Sequence, residues 1–449
     1  MARTAPRWLD ARASALRLIC AGLTLLAAGL LALPAQAIPT FARQTGQNCV
    51  ACHAGGQFPE LTPYGRLFKM TGYTIGERTM PLSAMAVATV SKVANTSKSP
   101  DPGADFQKNG ALILATGSAF LGGKVSDNLG GFAQFTYDPY DNPDGGGLLR
   151  GHAVTDNVDL RYADRFFDLA GARDLIVGVS LNNNPSVSDP WNTAAAWMQY
   201  VPVPSPSSSR FIDGNAPYPG YSAGGGIAGL SAYAFWNRSV YAEFGAYRTA
   251  RGVLSILHGG SHDADVTKLS GFNPYARLAY NHEWGPNALM LGASGMVSHV
   301  ADDPLDPSAG ATRHTDASVD AMYQYLLDPH SVTAQAVLSH SSDASHVLRT
   351  KLTYVYQAKY GGSVGSFALN APADAGAATT AQAVDGSAAG SASTRGLTFE
   401  TFYTPIQYVR IGLQYTAYTR FNGASRNYDG FGRNASDNNT LFLYTWLAY

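Results

Sequence analysis

The stretch Val409-Arg410-Ile411-Gly412-Leu413-Gln414-Tyr415-Thr416-Ala417-Tyr418-Thr419-Arg420-Phe421 alternates in character along its length. Val409, Ile411, Leu413, Tyr415 and Phe421 share one face, and Arg410, Gln414, Thr416 and Arg420 share the other. A period of two is the mark of a β-strand with unlike faces. The same pattern recurs in Val240–Arg248, Val158–Tyr162 and Val319–Tyr325. Alternation alone fits a soluble sandwich with its apolar face inside. It fits equally a membrane barrel with its apolar face outside and polar groups in the lumen.

The spacing of these segments separates the two. Sixteen such stretches follow residue 83, at 84–95, 111–121, 129–138, 153–163, 173–182, 225–236, 238–249, 272–284, 288–300, 313–326, 330–342, 345–358, 361–369, 395–404, 408–421 and 439–449. Connections after even-numbered stretches are mostly short, as in Trp236–Ser239, Trp284–Asn287, Leu327–His330 and Thr404–Gln407. Those after odd-numbered ones are mostly long, about 183–224, 250–271, 370–394 and 422–438. Short turns on one side and long loops on the other, with an even strand number, are the pattern of bacterial outer-membrane barrels. The chain closes on Leu441-Phe442-Leu443-Tyr444-Thr445-Trp446-Leu447-Ala448-Tyr449, a last strand ending in an aromatic residue.

Composition agrees. Of 449 residues only 14% are charged, against about 25% in ordinary soluble proteins. Glycine (47) and tyrosine (25) are abundant, and the 31 Lys+Arg nearly balance the 32 Asp+Glu. This excludes a disordered chain and lacks the basic excess of a nucleic-acid binder. The one long apolar run is N-terminal: Arg3, Arg7, Arg12 and Arg17 precede Leu18–Leu33, and Ala35-Gln36-Ala37 follows. It reads as a secretory signal peptide cleaved after Ala37, leaving a mildly acidic exported chain.

Of the three cysteines, Cys20 falls in the signal; the others form Cys49-Val50-Ala51-Cys52-His53. Two thiols at this spacing followed by His read as covalent attachment of one haem c, each thiol bonding a vinyl carbon and His53 serving as proximal iron ligand. A Cys49–Cys52 disulfide and a zinc site compete. Export favours haem, and no second Cys/His pair of fitting spacing lies nearby. For the sixth ligand, Met85 ranks first and Met80 second, with Met70 read as core of a short helix. Residues 38–80 are too few to bury a core alone, so they must lean on the rest of the chain. The domains expected are therefore a signal peptide (1–37), a monohaem c-type cytochrome segment (38–83) and an all-β barrel (84–449) whose lumen that segment plugs or caps. His258, His262, Asp263 and Asp265 form a weaker metal candidate in a loop interrupted by Gly259-Gly260, and Asp302, Asp303 and Asp306 make an acidic outer loop.

Beyond these readings, Phe41-Ala42-Arg43-Gln44-Thr45-Gly46, the Cys49–His53 run, Pro59-Glu60-Leu61-Thr62-Pro63-Tyr64-Gly65-Arg66, Phe68-Lys69 and Gly72-Tyr73 resemble the fused cytochrome–porin family of outer-membrane iron oxidases. Softer likenesses lie in Leu181–Pro185, Trp191–Thr193, Gln414–Thr416 and Gly432–Leu441. The resemblance implies a small cytochrome in the mouth or lumen of a sixteen-stranded barrel, taking electrons from extracellular Fe(II) and passing them to a periplasmic c-type cytochrome. Such one-electron oxidoreduction needs no general acid or base. Arg43, Arg66 and Lys69 are candidates to pair haem propionates; their competing role is to dock the plug on lumen carboxylates such as Asp159, Glu243, Asp320 and Glu400. Phe442, Tyr444 and Trp446 are expected to face inward. A haem-plugged diffusion porin and a soluble periplasmic haem enzyme are the rival functions.

Overall fold

The structure, a computed structural model, describes residues 39–56, 60–95, 109–138, 152–168, 173–191, 193, 226–257, 268–303, 305, 306, 308–342, 344–373 and 386–449. The signal peptide and the His258–Asp265 candidate lie outside them. Sixteen strands form one closed antiparallel barrel. They are β1 (Leu82–Val93), β2 (Leu112–Lys124), β3 (Leu129–Asp138), β4 (His152–Asp168), β5 (Arg173–Asn182), β6 (Ile227–Trp236), β7 (Val240–Thr249) and β8 (Asn273–Trp284). The second half is β9 (Asn287–Ala301), β10 (Ala311–Leu327), β11 (His330–Ser341), β12 (His346–Tyr356), β13 (Tyr360–Asn370), β14 (Thr394–Ile406), β15 (Val409–Arg420) and β16 (Thr440–Ala448). Each strand pairs with its sequence neighbours, and β1 pairs with β16 from Met85↔Ala448 to Val93↔Thr440. Closure leaves no edge, so every strand spends its backbone groups on ladders.

The faces decide the solvent. Asp159, Glu243, Asp320 and Glu400 are buried on the lumen side, while Leu278, Leu291, Val319 and Leu352 are each more than half exposed on the outside. An apolar exterior around a polar interior is the inverse of a soluble sandwich and belongs in a bilayer. At the short-turn rim the outer face carries aromatic residues: Tyr360 stacks on Tyr403 at 5.1 Å, and Trp284 stacks on His282 at 5.0 Å. Such girdles sit at membrane–water interfaces. The protein is thus a bacterial outer-membrane barrel, with its short turns on the periplasmic side.

One departure from the sequence reading has a local cause. At the end of β15 a bulge shifts the register between Arg395 and Gly396 of β14. Beyond it Phe421 is fully buried in the lumen and Arg420 is exposed, the reverse of simple alternation. One inserted residue moves everything after it to the opposite face.

Candidate functional site

The described part of the N-terminal segment folds as three short helices, α1 (Pro39–Thr45), α2 (Cys49–Cys52) and α3 (Pro63–Met70). Helix α3 begins where the sequence supplies a cap: the Thr62 hydroxyl accepts from Gly65 N at 3.1 Å, and Pro63 occupies the first turn, where a missing N–H costs nothing. It ends at Gly72 and Tyr73, both at positive φ, with Tyr73 N donating to Phe68 O at 2.9 Å. Phe41, Phe68 and Tyr73 pack with ring centroids 5.1–5.7 Å apart, and Phe132 of β3 closes this cluster against the wall.

Helix α2 carries the Cys49–His53 run. His53 N donates to Cys49 O at 2.8 Å, and Thr62 N donates to Cys52 O at 2.9 Å, so α2 lies directly on the start of α3. Gly65 makes this possible, since a Cβ there would stand 2.2 Å from Cys52 O. Neither cysteine is in a disulfide, and Cys49 Sγ donates to Gln407 Oε1 at 3.5 Å. Among the described residues no group of three or more His, Cys, Asp or Glu gathers as a metal cage. Burial pushes the Cys52 thiol up to about 11, with Cys49 adding to the effect. Burial also pulls the His53 imidazole down to about 4, against the opposing field of Glu60. His53 is therefore neutral at neutral pH, the form that ligates a metal, and its Nδ1 is buried with no hydrogen-bond partner. Two thiols on one helical turn, neither in a disulfide, beside a neutral buried imidazole fit a covalently held haem c.

The barrel grips this segment from several sides of the periplasmic mouth. On the β2–β4 side, Thr40 Oγ1 donates to Gly122 O, Lys124 N donates to Gln44 Oε1 at 2.8 Å, and Tyr73 OH donates to Asp159 Oδ2 at 2.6 Å. Tyr233 OH of β6 donates to Met70 O at 2.7 Å. Across the lumen, Arg66 Nη1 donates to Gln324 Oε1 of β10 at 2.8 Å, and Lys351 Nζ of β12 pairs with Glu60 Oε1 at 2.5 Å. The Gln407 side chain, in the β14–β15 turn, accepts from Cys49 N at 3.4 Å. Gly55 lies against Val355 so closely that a Cβ would meet its side chain at 2.6 Å.

A second element enters from the long-loop side. After β5 the chain forms helix α4 (Pro185–Ser188) and dips into the lumen. Trp191 is fully buried there with Met70, Ile176, Phe235 and Tyr241. Arg277 bonds Asp320 at 2.7 Å and faces Asp189 at 3.3 Å, and Thr193 Oγ1 donates to Asp320 Oδ2 at 2.8 Å. Sequence reading placed this segment in an outer loop; Trp191, a large aromatic beside Asp189 and Asn192, was the available sign that it turns inward.

The singled-out basic residues find different partners. Arg43 donates to Leu82 O, and Lys69 donates to Val187 O at 2.6 Å and Asp189 O at 2.9 Å. Arg66 also donates to Leu61 O at 2.8 Å and stands 3.9 Å from Glu283. Burial lowers Lys69 to about 8, with Arg161 adding to it, and lowers Arg66 to about 10. Of the four expected lumen carboxylates, Asp159 reaches the plug, through Tyr73. Glu243, Asp320 and Glu400 bond to Ser231 and Tyr241, to Arg277 and Thr193, and to Ser363, Arg410 and Tyr444. Docking also uses the reverse polarity, a plug carboxylate (Glu60) on a wall cation (Lys351), which the sequence reading missed. Met85 is buried on the lumen face of β1 with Val87, Phe120, Phe442 and Tyr444, and Trp446 packs against them. The inward placement of these last-strand aromatics is as expected. Met80 is 66% exposed at the rim, and Met70 is 2% exposed in the core shared with Trp191.

No protein-family model and no curated protein matches the chain. Solved structures of similar shape include OmpF of Salmonella typhi in complex with daunomycin, at 12% identity and TM-score 0.45, covering 82% of this chain and 97% of that one. The outer-membrane channel DcaP of Acinetobacter baumannii gives 11% and 0.42, covering 82% and 96%. OccK1 (OpdK) of Pseudomonas aeruginosa gives 11% and 0.38, covering 82% and 97%.

Proposed function

We propose that this barrel is an electron conduit of the outer membrane, carrying one covalently bound haem c in its periplasmic mouth. It would take electrons from an outer donor, with Fe(II) as the substrate favoured by the resemblance of residues 41–73 to outer-membrane iron oxidases, and deliver them to a periplasmic c-type cytochrome. The observation carrying this reading is that the Cys49–His53 turn is held inside the barrel mouth by the wall's own side chains. Cys49 and Cys52 would hold the haem and His53 would ligate its iron, with Met85 preferred over Met80 as a second ligand. When bound, the group supplies a one-electron Fe(III)/Fe(II) couple.

The chain's residues do the rest. A hydrocarbon core of about 30 Å is too thick for an outer donor to reach a periplasmic acceptor unaided. The polar lumen offers a way through it, and the plug holds the thiols and imidazole in place there. Buried Phe68 and Tyr73 exclude water behind α3, and the exposed Val50 side of α2 faces the periplasmic mouth. Arg43 and Arg66 stay assigned to propionates in this reading, each with one nitrogen (Nε of Arg43, Nη2 of Arg66) buried and lacking a hydrogen bond.

The test is anaerobic stopped-flow spectroscopy of outer-membrane preparations. Fe(II) added to oxidised protein is expected to raise the reduced haem c α-band rapidly. Reduction by dithionite but not by Fe(II) would keep the conduit and discard iron. The rival diffusion porin draws on the same closed barrel with a polar lumen. It predicts rapid swelling of loaded liposomes in small solutes, where a conduit filled by plug and inward loop predicts little.

A further inference from the structure

On the outer face of the barrel, at the long-loop rim, five polar side chains join into one stripe across five strands. His340 of β11 stands opposite His346 of β12, their rings stacked with centroids 4.5 Å apart. His346 stands opposite Asn370 of β13, and Asn370 Oδ1 accepts from Arg395 Nη2 of β14 at 2.5 Å. Arg395 stands opposite Arg420 of β15. Both arginines and both histidines are exposed. Among the described residues none of the four forms an ion pair with a carboxylate. Two residues further into the membrane on the same face come Leu338, Leu348, Ala368 and Leu397, so the stripe lies at the upper border of the apolar belt.

Like charges directly opposite one another in a sheet destabilise it. Here the β15 bulge creates the conflict, since it turns Arg420 outward to face Arg395. An anion between the two guanidinium groups reverses the sign, and phosphate oxygens suit their paired N–H donors. At that depth an anion must be carried by something whose tails lie against the leucines below. We propose that this stripe binds the phosphate-bearing headgroup of an outer-leaflet lipid, with Arg395 and Arg420 bridging the phosphate and His340, His346 and Asn370 supplying further polar contacts. The inference is independent of the haem reading.

To test it, the full-length barrel is reconstituted in neutral phosphatidylcholine doped with a bis-phosphorylated glycolipid, re-extracted in mild detergent, and the co-purifying glycolipid counted per chain. Wild type is expected to retain about tenfold more than R395Q/R420Q, R420Q alone to lose about threefold, and R395K/R420K to fall between. A control change at another exposed rim cation, Lys92→Gln, should leave retention unchanged. Heat-modifiable migration on gels verifies the barrel in each variant, and if the double variant fails to fold, R420Q carries the test. Equal retention by the folded glutamine variants overturns the proposal. So does equal retention of the dephosphorylated glycolipid, or complete displacement by equimolar inorganic phosphate, which would make the site one for free anion.

Discussion

Every strand of the wall is nine to seventeen residues long and is laddered to two neighbours. The plug, by contrast, holds three helices of four to eight residues with hydrogen bonds to partners as far as 358 positions away. The wall satisfies its backbone internally and would stand without the plug. The plug has too little apolar surface to stand alone and borrows Asp159, Tyr233, Gln324, Lys351 and Gln407. The contrast shows that the polar lumen serves as a docking surface as much as a water-facing one.

Changes in the plug should therefore cost the plug and spare the wall. The largest effect is expected from His53→Ala: loss of the Fe(II)-dependent α-band signal, with unchanged heat-modifiable barrel migration. An active variant, or a barrel that no longer inserts, would break the separation. Next comes Lys351→Met, which strands the buried Glu60 carboxylate at a cost of about 3–5 kcal/mol. Proteolysis within residues 39–80 should then accelerate, and adding Glu60→Gln should restore most of the protection.

A slightly smaller effect depends on pH. Lys69 has a pKa of about 8 in place and 10.5 when released, so between those values the released plug holds the extra proton. Docking should strengthen as pH rises through that window, by about 3 kcal/mol in all, and weaken again as pH falls back to 8. Urea titration of plug protection at pH 7.5 and 10.5 reads this, and Lys69→Met should flatten the slope. The smallest change is Tyr73→Phe, which removes one hydrogen bond to Asp159 and should cost about 1.5–3 kcal/mol in the same assay. If it instead matched Lys351→Met, docking would be a single network rather than separate anchors.

Periodicity made the wall legible because it is a local property: 129–138 and 173–182 are strands at the very residues read from alternation. It failed at Arg420 and Phe421, where one bulged residue changes the face without changing composition. The Cys49–His53 run stood out as a candidate because its five residues are contiguous. The plug's partners were not, since Glu60–Lys351 and Arg66–Gln324 join residues 291 and 258 positions apart. Nor does charge reveal that Arg43 and Lys69 bond to carbonyls, because backbone acceptors are the same at every residue.

Those long separations also bear on biogenesis. Export delivers the chain N-terminus first, so Cys49 and Cys52 reach the periplasm before any strand that will hold them. In the proposed conduit, haem attachment would be free to precede barrel insertion, whereas locking of the plug must await β10, β12 and the β14–β15 turn. Because β1 starts and β16 ends at the same rim, with Ala84 and Tyr449 exchanging backbone hydrogen bonds, β16 closes the ring against the strand that follows the plug. The finished complex is then a record of its own order of assembly, sealed at the seam where start and finish meet.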